Sequence, residues 1–142
     1  MKNSRSTGRG FRALLLGALV ACALAPVAGA QDKKAPAEVQ KDYDQFIAKF
    51  RSALKANDRA AVTGMTKLPF HANPEWDAAH FSKNFYAKLF PPKVRTCIQR
   101  AKGVYDRAPN GEENFSVFCG EDMFIFTRTP NGFLFTEAGV ND

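Results

Sequence analysis

The segment NFSVFCGEDMFIFTRTPNGFLFTEAGV (residues 114–140) determines the fold class. Apolar residues recur in it with a period of two, which is typical of β-strands. Gly120-Glu121-Asp122 and Pro130-Asn131-Gly132 interrupt the alternation with residues that favour tight turns between antiparallel strands. We therefore expect a meander of three strands. One face of the first strand should carry Phe115, Val117 and Cys119.

The second and third predicted strands continue this alternation. The second strand should carry Met123, Ile125 and Thr127 on one face. Its other face should carry Phe124, Phe126 and Arg128. In the third, the residues that alternate with Leu134, Thr136 and Ala138 are Phe133, Phe135 and Glu137. Apolar side chains on both faces of the second strand predict a central strand covered on both sides. Residues 104–107 are the candidate for a fourth strand.

The residues that precede the strands follow a helical period instead. From about Glu38, apolar residues recur at steps of three and four, which indicates an amphipathic helix. These residues are Val39, Tyr43, Phe46, Ile47, Phe50 and Leu54. Asn57 suits a left-handed position at the end of this helix, and Asp58 suits the N-cap of a second, shorter helix. That helix must end before Pro69.

Two further helices are expected before the strands. Phe81, Phe85 and Leu89 are four residues apart, and Pro91-Pro92 ends their helix. The next helix shows apolar residues at i, i+3, i+4 and i+7, namely Val94, Cys97, Ile98 and Ala101. About four N-terminal helices packed on a C-terminal antiparallel sheet of three to four strands predict an α+β fold.

The N-terminus has the pattern of a secretory signal peptide. Basic Lys2, Arg5, Arg9 and Arg12 precede a short apolar run, which ends at Ala28-Gly29-Ala30. We expect cleavage near Ala30, which divides the chain into a signal peptide (1–30), a linker (31–37) and a single α+β domain (38–142). The expected location is the periplasm or the exterior of the cell.

A second interpretation of the N-terminus stays open. Leu19-Val20-Ala21-Cys22 resembles the lipobox of bacterial lipoproteins, in which the cysteine is acylated. The alternative to a freely soluble mature form is therefore a lipoprotein anchored at Cys22.

The charge of the chain depends strongly on this segment. The chain has 20 basic and 14 acidic residues, for a net charge of +6. Without the four basic residues of the leader, 16 basic residues remain against 14 acidic ones, for a net charge of +2. The high isoelectric point is thus no argument for nucleic-acid binding. We also expect that the mature form does not span a membrane.

The cysteines agree with export. Apart from Cys22, the chain contains Cys97 and Cys119, an even pair in a compartment that would be oxidising. They lack the spacing of a redox or metal motif. We expect a structural disulfide between them that joins the last helix to the sheet.

Charge is distributed unevenly along the rest of the chain. No acidic residue lies between Asp77 and Asp106, whereas six basic residues do: Lys83, Lys88, Lys93, Arg95, Arg100 and Lys102. Residues 106–142 contain seven acidic residues and two arginines, for a net charge of −5. Two interpretations follow. The two regions form solvated surfaces that complement each other, or the basic residues form a face for an anionic partner, such as a lipid headgroup, a cell-wall polymer or an acidic protein.

Few residues suggest catalysis. His71 and His80 lack the spacing of a zinc motif, so we expect no metal and no cofactor. Trp76 is interpreted as an anchor that packs its loop on the core. Tyr105 and Asp106 are adjacent on the candidate strand and should point to opposite faces, which argues against a shared catalytic pocket.

Three segments carry a family resemblance: FRSALKANDRAAVTGMTKLPF (50–70), NFYAKLFPPKV (84–94) and FCGEDMFIFTRTPNGFLFTEAGVND (118–142). With the order of helices and strands, they resemble small exported bacterial members, of unassigned activity, of the nuclear-transport-factor-2-like superfamily. The resemblance implies a cone in which a curved sheet wraps around helices and can enclose a pocket. The superfamily includes isomerases and dehydratases that use Asp, His and Tyr residues in the pocket.

These observations predict a small exported binding or accessory protein of the bacterial envelope that is not an enzyme. Its partner would be an anionic envelope component or a small ligand held between sheet and helices. Two alternatives remain open: a pocket lyase or isomerase of the same superfamily, and an envelope inhibitor or immunity-type protein that binds an acidic partner.

Overall fold

The computed structural model describes residues 34–140. In this range helices come first and strands follow: α1 (Ala37–Lys55), α2 (Arg59–Gly64), α3 (Ala78–His80), α4 (Tyr86–Leu89), α5 (Pro92–Ile98), β1 (Val104–Arg107), β2 (Glu113–Cys119), β3 (Asp122–Thr129) and β4 (Gly132–Val140). A π-helical turn joins α3 to α4, so these elements form one helical stretch. The predicted signal peptide, Cys22 and residues 31–33 of the predicted linker lie outside the described residues.

The predicted α+β class is confirmed. The four strands form one antiparallel sheet in the order β1-β2-β3-β4, and all helices precede it in the described chain. The fourth strand expected at residues 104–107 is β1, which pairs with β2. Helix α1 begins at Ala37, and the side chain of Ala35 just before it is buried.

The turn between α1 and α2 has the predicted geometry. Asn57 adopts a left-handed conformation with φ of 54°. The side chain of Asp58 accepts a hydrogen bond from the backbone N–H of Ala61 at 2.9 Å, so Asp58 caps α2. The amide oxygen of Asn57 also accepts hydrogen bonds from the Tyr86 hydroxyl at 3.0 Å and from Arg95. The turn therefore ties α4 and α5 to the first two helices.

A β-bulge changes the alternation in β4. Phe126 pairs with Phe135, but its neighbour Ile125 pairs with Glu137, so Thr136 is an extra residue on β4. Glu137 consequently lies on the face opposite to Phe135. The prediction that Glu137 shares a face with Phe133 and Phe135 is wrong, because the strict period of two fails at the bulge.

The sheet is covered by helices on one face. Phe124 and Phe126 of β3 are buried, whereas Met123 and Ile125 on the other face are only half-buried. The prediction of a strand covered on both sides is therefore wrong. β3 is central because β2 and β4 flank it within the sheet.

Aromatic rings fill the space between α1 and the sheet. The Tyr43 ring stacks on that of Phe115 with centroids 3.8 Å apart, and the Phe50 ring meets that of Phe126 edge-on at 5.1 Å. The Phe135 ring packs on Phe50 and Phe126 at 5.9 and 5.7 Å. Tyr43 is 3% exposed and the four phenylalanines are at most 1% exposed. The rings therefore leave the space between α1 and the sheet filled, and a ligand would bind at the surface.

A disulfide joins Cys97 of α5 to Cys119 of β2, with a Cα–Cα distance of 5.9 Å. The predicted bridge between the last helix and the sheet is thus confirmed. It fixes α5 immediately before the connection from α5 to β1.

Candidate functional site

A surface groove lies between α1 and the connection from α5 to β1, with a volume of about 290 Å³. We call it the basic groove. Its lining residues are Gln40, Tyr43, Asp44, Ile47, Arg51, Arg100, Ala101, Lys102 and Gly103. About three helical turns of α1 supply one wall, because positions 40, 43/44, 47 and 51 recur on one side of a helix. The connection supplies the other wall.

Arg51 holds the two walls together. Its Nε donates to the carbonyl oxygen of Ile98 at 2.8 Å, and its Nη2 donates to that of Ala101 at 2.6 Å. In return, the side chain of Gln99 donates to the carbonyl oxygen of Arg51 at 3.0 Å. A guanidinium at the end of α5 also satisfies a carbonyl that has no partner within the helix. The position of this cation is therefore fixed by the fold.

The groove has a positive charge. Arg51, Arg100 and Lys102 contribute three positive charges and Asp44 one negative charge, for a net lining charge of +2. Among residues 34–140, the ion pairs within 4.0 Å all involve Arg128, which contacts Glu38, Asp42 and Glu113. The cations of the basic groove are thus not neutralised by ion pairs within the described part of the chain.

Tyr43 contributes a buried hydroxyl at this site. Within the described residues, the hydroxyl has no hydrogen-bond partner. A Cβ atom placed on Gly103 would lie 2.5 Å from the Tyr43 hydroxyl oxygen, so a larger residue there would force the tyrosine ring or the backbone to move. Burial raises the pKa of the Tyr43 hydroxyl well above its ordinary value of 10.0, and the charge of Arg51 opposes this shift. The hydroxyl is therefore protonated at neutral pH and can donate a hydrogen bond.

The structure distributes the six predicted basic residues over several places. Arg100 and Lys102 meet in the basic groove. Lys93 lines a separate groove of about 430 Å³ beside the disulfide, together with Glu121 and Asp122. Arg95 donates to the side chain of Asn57.

Lys83 and Lys88 are exposed on the helical stretch formed by α3 and α4. They do not line the basic groove. This difference in position makes them suitable controls for the charge of Arg100 and Lys102.

A second groove, of about 550 Å³, contains His71. We call it the mixed-charge groove, since it is lined by Lys67, Leu68, Pro69, His71, Ala72, Glu112, Thr127, Thr136 and Glu137. Residues 65–67 run beside β4, because the Lys67 N–H donates to the Phe135 carbonyl at 2.8 Å. His71 and Ala72 are left-handed, with φ of 50° and 55°. One lysine and two glutamates give this groove no dominant charge.

The other predicted candidates have structural contacts. The ring of Trp76 packs edge-on against that of Phe85 at 4.7 Å, as expected for an anchor. Tyr105 packs on Phe115 and its hydroxyl donates to Glu113 at 3.4 Å, whereas Asp106 is exposed. In residues 34–140, no group of three or more His, Cys, Asp or Glu side chains is arranged to hold a metal ion.

Three residues of the basic groove were not recognised from the sequence. The helical period places Tyr43 in the apolar stripe of α1 and Arg51 on its polar face, and neither position indicates a site. A glycine between a helix and a strand, such as Gly103, does not by itself indicate a site. Their convergence depends on contacts between residues about 50 positions apart, such as that of Arg51 with Ala101, for which a single sequence gives no signal.

Across the described residues, no helix combines the length and the apolar character that a membrane span requires. In comparisons with known proteins, no family model matches the chain. No curated protein and no solved structure matches it either.

Proposed function

We propose that this chain is a non-enzymatic binding protein of the bacterial envelope and that its basic groove binds an anionic component. The observation that carries this proposal is the convergence of Arg51, Arg100 and Lys102 on one groove with a net lining charge of +2. Cations without ion-pair partners attract an anionic group, and a concave surface strengthens that attraction because it excludes part of the solvent.

The arrangement of Arg51 supports binding rather than general surface charge. Two of its nitrogen atoms donate to backbone carbonyls and fix the guanidinium, so little side-chain entropy is lost when a ligand binds. Arg100 and Lys102 are exposed and can close on the ligand from the other wall.

Export is part of the proposal. The basic leader, the small residues before Ala30 and the disulfide between Cys97 and Cys119 support it, since disulfides persist in oxidising compartments. The mature protein would be periplasmic or secreted, or anchored at Cys22. We also propose kinship with the nuclear-transport-factor-2-like superfamily, which the order of helices and meander supports.

The location of the groove favours binding over a lyase or isomerase. A pocket enzyme of that superfamily would need polar catalytic groups between the sheet and the helices, where the rings of Tyr43, Phe50 and Phe126 are in contact. The basic groove instead lies at the surface, is lined by cations, and has the buried neutral hydroxyl of Tyr43 in its wall.

Calorimetric titration with soluble anions tests the proposal. The probes are glycerol phosphate and acetate, and the protein is purified after expression of the full chain. The double variant Arg100→Glu, Lys102→Glu should weaken binding of glycerol phosphate by at least about tenfold, because attraction becomes repulsion at close range. Raising the salt concentration should weaken binding by the wild type.

The matched control is the double variant Lys83→Glu, Lys88→Glu, which makes the same change of net charge outside the groove. It should bind glycerol phosphate with nearly the affinity of the wild type. Equal loss in both double variants would mean that only the net charge matters, and the proposed function would then be wrong. Absence of saturable binding to either anion would also contradict it.

A further inference from the structure

We infer that the basic groove selects a phosphate monoester group and that the Tyr43 hydroxyl donates a hydrogen bond to it. This inference rests on the proposed function, since it names the ligand class of the same groove. Its first basis is charge. A phosphate monoester carries about −1.5 to −2 at neutral pH, which matches the net lining charge of +2 better than the single charge of a carboxylate.

The second basis is the number of the donors. Three basic residues line the groove on two walls, with Arg51 on α1 and Arg100 and Lys102 on the connection to β1. A phosphate monoester presents three terminal oxygens in tetrahedral directions and can accept from all of them, whereas a carboxylate presents two oxygens in one plane.

The third basis is the Tyr43 hydroxyl. Burying a hydroxyl without a hydrogen bond is unfavourable, and such a group in a folded protein calls for an explanation. Tyr43 lines the groove, is 3% exposed, and has no hydrogen-bond partner for its hydroxyl among the described residues. A bound anion would supply the missing acceptor.

Gly103 controls access to this hydroxyl. It lies in the groove wall against the Tyr43 ring, where a Cβ atom would come within 2.5 Å of the hydroxyl oxygen. Residues 101–103 belong to no helix or strand. In our proposal Lys102 and Gly103 move outward as the ligand enters, while Ala101 keeps its hydrogen bond with Arg51, and the hydroxyl then contacts a phosphate oxygen.

Tyr43→Phe tests the inference without disturbing the packing. The ring keeps its contacts with Phe115, and the hydroxyl that is removed makes no hydrogen bond with the described residues, so the variant should fold. We expect the wild type to bind glycerol phosphate more tightly than acetate. Tyr43→Phe should lower the affinity for glycerol phosphate by about tenfold or more, because hydrogen bonds to charged groups are among the strongest. Thermal unfolding of the two proteins checks that the fold is retained.

Vesicles distinguish the two sources of such a group. Binding to vesicles that contain phosphatidic acid, a monoester, but not to those with phosphatidylglycerol, a diester, would indicate a lipid headgroup. Binding of glycerol phosphate without binding to either vesicle would indicate a soluble ester. Both results support selection of a phosphate monoester.

The results that overturn the inference differ from those that overturn the proposed function. If Tyr43→Phe binds glycerol phosphate as the wild type does, or if acetate binds equally well, selection of a phosphate monoester through Tyr43 is wrong. The proposed function would survive that result provided that the Arg100→Glu, Lys102→Glu variant has lost binding. If this double variant binds normally, both proposals fail.

Discussion

Tyr43 lies where the aromatic core meets the basic groove. Its ring stacks on Phe115 and contacts Phe133, while its hydroxyl lies against Gly103. The sequence places Tyr43 correctly in the buried stripe of α1, because that position follows from the helical period alone. The burial of the hydroxyl depends on Gly103, which is distant in sequence, so the helical period cannot predict it.

The raised pKa of Tyr43 predicts a loss of stability in alkali. Burial keeps the phenol protonated in the folded protein at pH values where the unfolded chain releases the proton, with an ordinary pKa of 10.0. The contribution to stability is therefore complete below pH 10.0 and is lost as the pH rises toward the higher pKa of the folded state. Denaturant unfolding at about pH 9 and about pH 11 measures this loss as a decrease in the free energy of unfolding.

Tyr43→Phe is the control for this effect. The free energy of unfolding of the wild type should fall more steeply between the two pH values than that of the variant, since other titrating groups are common to both. Parallel pH profiles would show that ionisation of Tyr43 does not differ between the folded and unfolded states.

The disulfide determines how α5 is held on the sheet. Cys97 and Cys119 are 22 positions apart, and closing a loop of this length restricts the unfolded chain. We expect the double variant Cys97→Ser, Cys119→Ser to be less stable than the oxidised wild type by about 3 kcal/mol. Guanidinium chloride unfolding with linear extrapolation measures the difference. Equal stability of the two proteins would mean that the bridge contributes nothing beyond the packing of α5.

The order of helices and strands was predictable because it depends on local signals. Asn57-Asp58 and Pro91-Pro92 mark helix boundaries, and Pro130-Asn131-Gly132 marks the turn before β4. The π-helical turn at Phe81–Phe85 was missed, since the apolar residues at positions 81, 85 and 89 fit an ordinary helix equally well. The sequence does not predict the bulge at Thr136, because the bulge depends on how β4 pairs with β3. There the Thr136 hydroxyl forms hydrogen bonds with Thr127 and with the carbonyl oxygen of Ile125.

The candidate site was predictable only in part. Arg100 and Lys102 were among the basic residues singled out by the absence of nearby acids, and they do meet in one groove. The sequence does not show that Lys83, Lys88 and Lys93 lie outside that groove, because this depends on how α5 packs against α1. Arg51 holds α5 against α1 by donating hydrogen bonds to the carbonyl oxygens of Ile98 and Ala101.

In the molecule as a whole, different residues provide stability and binding: the buried interior stabilises the fold, and the charged surface is the proposed binding site. The buried rings and the disulfide hold the helices on the sheet, whereas the cations of the basic groove take part in no ion pair of the described residues. Binding should therefore change the surface at α1 and residues 100–103 and leave the aromatic core unchanged.

Nuclear magnetic resonance of the uniformly ¹⁵N-labelled protein, titrated with glycerol phosphate, tests this arrangement. Saturable shifts should concentrate at the amides of Arg51, Arg100, Ala101, Lys102 and Gly103, because these residues surround the proposed anion. Shifts that concentrate instead at residues 67–72 of the mixed-charge groove, or that do not saturate, would contradict a binding function of the basic groove.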